Sequence, residues 1–188
     1  MVDSTCNQVP ERGGFMVKNR IVPLHAESFF FVSNNGEFFQ VLIYDYYDEE
    51  EYYRKLSHKE EKFIDEVDKL WSNMQSILDE GELYINGMRV RPRVIFMDIQ
   101  HRGSGTLPYF IWIINFKGRF RRDVNIYRSV YEEEVLEYDC EAYWCFPAGT
   151  KIIDVKTYMN KDIYGNFMVL WARKGDKIGG EEEIRFRI

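Results

Sequence analysis

The most continuously apolar run in the chain is Tyr109-Phe-Ile-Trp-Ile-Ile-Asn-Phe116, set between the turn residues Gly103-Ser-Gly105 and Lys117-Gly118. Eight residues are too few for a buried helix, and the run is rich in the aromatic and β-branched side chains that pleated surfaces favour. It predicts a strand buried on both faces, at the centre of a sheet. After Gly81 short apolar runs follow one another, separated by turn residues, with no helical period between them. That order predicts antiparallel pairing of about ten strands, more than one open twisted sheet carries without splitting or curling. The expected fold is α+β, mainly β: an antiparallel two-layer sandwich or partly closed barrel, with one long amphipathic helix packed on it.

Two Asn-Gly steps mark hairpins, Asn35-Gly36 between Ser28–Ser33 and Glu37–Tyr44, and Asn86-Gly87 after Glu82–Ile85. Both residue types tolerate the positive φ of a type I′ turn. The helix is predicted over 57–80. Ser57 and Glu60 have capping-box spacing, and Phe63, Val67, Leu70, Trp71, Met74, Ile77 and Leu78 make one stripe. Gly81 suits the position just past its end. Such a helix cannot bury its stripe alone and needs a sheet or a partner chain. Residues 1–18 are polar and read as a flexible arm, leaving 19–188 as a single globular domain.

The net charge of −6 argues against non-specific nucleic-acid binding by the whole molecule. No run approaches the roughly 18 apolar residues needed to cross a bilayer. Residues 1–14 contain no apolar signal core, so a soluble, cytoplasmic protein without membrane contact is expected. Three cysteines do not make a disulfide framework. On one strand, Cys140 and Cys145 would lie roughly 16 Å apart, too far to bridge.

Candidate sites are few. Arg89, Arg91 and Arg93 occupy alternate positions, and Arg119 and Arg121 repeat the pattern with Lys117 and Arg122 close by. On adjacent strand faces these would form a cationic strip for nucleic acid or another polyanion. The competing reading is a solvated face, or pairing with the acidic strand 130–141. His25, His58 and His101 show no ligand spacing, so no metal site is expected, and no cofactor either. Asp98 and His101 are the one acid–base pair close in sequence, but three residues apart in a strand they face opposite ways. Tyr46, Tyr47, Tyr52, Tyr53, Tyr143 and Trp144 are candidate aromatic contacts, about half of them expected in the core.

With no metal, nucleotide or nucleophile motif, the first expectation is a non-enzymatic interaction or scaffold domain. Its helix or an aromatic sheet face would meet a protein partner or a second copy. Polyanion binding through the arginines is the alternative, and an enzyme near Asp98 and His101 the third reading.

Overall fold

The computed structural model describes residues 21–188, so the arm expected over 1–18 lies outside the described residues. Twelve strands and two helices follow one another. They are β1 (Ile21–Val32), β2 (Glu37–Asp48), α1 (Tyr52–Leu56), α2 (Glu60–Glu80), β3 (Glu82–Ile85), β4 (Met88–Val90), β5 (Arg93–His101), β6 (Pro108–Lys117), β7 (Val124–Val135), β8 (Asp139–Cys145), β9 (Lys151–Lys156), β10 (Asn160–Tyr164), β11 (Phe167–Ala172) and β12 (Lys177–Arg187). They build two packed sheets: seven strands in the order β10-β11-β8-β1-β2-β6-β5, and five in the order β4-β3-β7-β12-β9. The result is the expected mainly β sandwich with one long helix, not closed into a barrel. Among the described residues all pairings are antiparallel except one: β1 and β8 run parallel, with His25 opposite Asp139 and Phe31 opposite Cys145. Local turn signals could not announce that pair, because its strands are joined by most of the chain.

Aromatic rings fill the space between the sheets. Phe30 stacks on Trp144 at 4.0 Å and Phe38 on Phe116 at 4.7 Å, with Tyr127 edge-on to Trp144 at 4.8 Å. Trp112, Trp144, Tyr44, Tyr127, Phe30, Phe38 and Phe186 are all fully buried. Burying one such side chain contributes about 1.5–3 kcal/mol, so this layer dominates the stability of the fold.

The helix α2 adds Leu70, Met74 and Leu78 to this core. Gln75 fixes it to the edge of the large sheet: its Oε1 accepts from the Val94 N–H at 2.9 Å and its Nε2 donates to the Pro92 carbonyl at 3.2 Å. Its ends differ from expectation. The residue before the first turn is Lys59, without a side-chain cap, and Ser57 Oγ donates to the Arg54 carbonyl at the end of α1. At the far end Gly81 is extended, not left-handed, and Arg89 donates to the Asp79 and Gly81 carbonyls instead.

Both Asn-Gly hairpins form, with different turns. Asn86 and Gly87 both have positive φ, 54° and 80°, as a two-residue type I′ turn requires. In the β1–β2 loop only Gly36 has positive φ. There Gly36 N–H donates to the Ser33 carbonyl and Ser33 N–H to the Glu37 carbonyl, which closes a four-residue loop.

Candidate functional site

The strand β6 departs from its expectation. Phe110, Trp112, Ile114 and Phe116 are buried, but Tyr109, Ile111, Ile113 and Asn115 on the other face remain partly exposed. The same alternation repeats in β1, β2, β8 and β11. The seven-stranded sheet therefore has one face in the core and one facing outward, and among the described residues nothing is packed over the outward face.

That outward face can be followed row by row from the strand register. One row reads Val169–Tyr143–Phe29–Val41–Ile113–Phe96, six apolar side chains across six strands. The next reads Phe167–Cys145–Phe31–Phe39–Asn115–Arg93, and on the other side lies Trp171–Glu141–Glu27–Ile43–Ile111–Asp98. A fourth row holds Asp139–His25–Asp45–Tyr109–Gln100. Tyr143 stacks on Phe29 at 4.8 Å and lies near-parallel to Phe167 at 6.4 Å, so the rings hold one another in place. Phe31 is 48%, Phe39 38% and Phe96 43% exposed. Six strands about 4.8 Å apart and four rows about 6.8 Å apart give a face of roughly 780 Å². The apolar positions make up roughly 480 Å² of it, in the upper part of the roughly 300–600 Å² that the largest patch of a monomer ordinarily spans.

The ends of this face carry opposite charge. At one end Asp45, Asp98, Glu27, Asp139 and Glu141 gather, with Arg102 held on Asp45 at 3.0 Å and lying over the Tyr109 ring at 4.3 Å. At the other end stand Arg93 and Lys117 with a single acid, Glu37.

At the acidic end the fold assembles a set that no sequence motif announced. His25 and Glu27 share a face of β1, and Glu27 sits directly across from Glu141 on β8. The His25 Nε2 is 2.5 Å from Glu141 Oε2, and one ligand atom from each of the three residues falls within 4.8 Å of the others. The His-x-Glu spacing was present in the sequence, but its third member is 116 positions from His25. The carboxylates of Glu141 and Glu27, after burial, raise the Tyr143 phenol above its ordinary value.

The other predicted residues scatter. Arg89 is on β4 in the small sheet, Arg93 is on β5 in the large one, and Arg91 lies in the connection between them. Arg119, Arg121 and Arg122 are in the loop before β7, not on a strand as expected. That loop is held from inside by Asn125, whose Oδ1 accepts from the Arg121 N–H at 2.7 Å and from Asn86 Nδ2 at 2.9 Å. Arg121 itself donates to the Asn86 carbonyl. Among the described residues no ion pair joins the acids of 130–141 to Arg89, Arg91 or Arg93; Glu133 pairs with Lys177 and Glu141 with His25.

Asp98 and His101 stay apart. Both Asp98 oxygens are taken locally, by the Ile99 N–H and by Gln100 Nε2. The charges acting on His101 belong to Arg54, Asp48 and Glu51. Among the aromatic candidates Tyr46, Tyr53 and Trp144 are buried, Tyr52 lies edge-on to Tyr53, and Tyr47 and Tyr143 face outward. No helix is long and apolar enough to cross a membrane among the described residues. Comparison with protein-family models and with curated proteins finds no match to this chain.

Proposed function

We propose that this chain is a non-enzymatic interaction module whose working surface is the outward face of the seven-stranded sheet, and that this face pairs with the same face of a second copy. The observation that carries the reading is the mismatch at β6. Its sequence has the composition of a strand covered on both faces, yet among the described residues only one face is covered. A second sheet laid on the first would supply the missing layer at the usual spacing of about 10 Å.

Size and charge favour a second copy as the occupant. Two faces of roughly 780 Å² bury about 1,600 Å² together, the size of a standard stable interface. A two-fold axis lying in the interface and perpendicular to the strands brings the Asp45 and Glu27 end of one copy over the Arg93 and Lys117 end of the other. The contact is then self-complementary, as an isologous dimer requires. The polyanion reading has less support, because Arg89 and Arg121 are committed to backbone carbonyls, and of the rest Arg93 and Lys117 stand on the outward face while Arg91, Arg119 and Arg122 lie in connections.

Sedimentation of the full chain over a concentration series tests the proposal. A species of twice the 22.6 kDa chain mass is the expected result. A single 22.6 kDa species throughout contradicts it.

A further inference from the structure

We propose that His25, Glu27 and Glu141 form a binding site for one divalent transition-metal ion, with zinc the ion best suited to the donors. All three ligands come from a single chain, so an ion binds them in the unpaired chain, although they lie on the face that the pairing proposed above would cover.

The strand geometry creates the site. Alternate residues of β1 place His25 and Glu27 on one face, and the parallel register sets Glu141 beside Glu27. Two carboxylates directly opposite one another repel, and a cation between them would relieve that repulsion. Protein cations do not fill that place: neither carboxylate forms an ion pair with a lysine or arginine among the described residues, and Arg102 is committed to Asp45. A protonated His25 offsets only one of the two negative charges. A divalent ion held by neutral imidazole and both carboxylates balances the set fully. One nitrogen and two oxygens match zinc, which takes four ligands and accepts water in an open position. The site is only partly buried, and an open cleft lined by Asp139, Glu141, Trp171 and Arg173 runs alongside it, giving an ion a path in.

The test uses chelator-treated full-length protein titrated with zinc chloride, followed by calorimetry and by the ring-nitrogen NMR signals of the three histidines. The expected result is one zinc per chain, with the His25 ring signals shifting and those of His58 and His101 unmoved. Glu27→Gln, Glu141→Gln and His25→Asn should each weaken binding at least about tenfold, since even residues that merely support a metal ligand cost 10–100-fold when changed. No zinc uptake, undiminished uptake in all three variants, or a shift confined to His58 or His101 would overturn the assignment. The NMR readout on the unmodified chain decides the matter even if a variant fails to fold.

Discussion

Replacing Val41 by lysine is the sharpest test of the sheet-to-sheet pairing. Val41 sits mid-row between Phe29 and Ile113 on the outward face, and is only partly buried within one chain. In the isolated chain the lysine stem can lie along the neighbouring apolar side chains and lift its ammonium into water, so the fold should lose about 1 kcal/mol or less. In the dimer a second sheet stands about 10 Å away and the ammonium has no water to reach. Removing such a charge from water costs several kcal/mol, and two-fold symmetry places two of them in each interface. At about 3 kcal/mol apiece the loss is about 6 kcal/mol, a weakening of about 10⁴-fold. Sedimentation equilibrium should then show the 22.6 kDa chain mass for Val41→Lys and twice that for the parent. Met88→Lys is the control: Met88 is 47% exposed on β4 of the other sheet and should leave the dimer intact. Circular dichroism melts establish that both variants are folded. A parent chain that stays monomeric at about 100 µM refutes the reasoning, because interfaces of this area bind at micromolar or tighter. A Val41→Lys chain that still dimerises refutes the placement of the interface.

Three further outcomes follow from the packing. Trp144→Ala removes a fully buried ring that stacks on Phe30 and should destabilise the fold by about 3–5 kcal/mol in urea melts; a loss under about 1 kcal/mol would mean the core is not built on it. Asn125→Ala strips the internal partners from the Arg121 backbone and from Asn86, and should cost about 2–4 kcal/mol, with faster hydrogen exchange at residues 119–123 as its local signature. Burial, and then Arg54, hold His101 below the ordinary histidine value of 6.5. Below pH 6.5 the unfolded chain therefore binds more protons than the folded one, and stability falls as pH drops from 6.5 through the lowered value. His101→Gln has no such proton to take up, so the melting-temperature difference between about pH 7.5 and 5.5 should narrow; an unchanged slope would contradict the argument.

Local features of the fold were legible where the physics is local. Asn86-Gly87 adopts the positive φ values its residue types permit, and β2 alternates as written. Ser57 shows where local logic fails. Its spacing to Glu60 fits a cap, but the short α1 ahead of it captures its hydroxyl first. The arginine pattern misled for a similar reason: a tight connection at Arg91-Pro92 sends Arg89 and Arg93 into different sheets. Of the candidate site, the sequence offered the apolar row residues but not their alignment, which depends on register between distant strands. The pairing of Glu27 with Glu141 was hidden for the same reason, since only the parallel β1–β8 contact brings them together.

That parallel contact also sets an order of events as the chain emerges during synthesis. The β1–β2 hairpin has everything it needs early, yet the other edge of β1 has no partner until β8 arrives, more than 100 residues later. Throughout that interval Phe29, Phe30 and Phe31 stand on an open strand edge, the kind of template onto which neighbouring chains add. At a synthesis rate of about 5–20 residues per second the exposure lasts roughly 5–20 s. The N-terminal third of this chain is thus where a cell's folding helpers would be needed most.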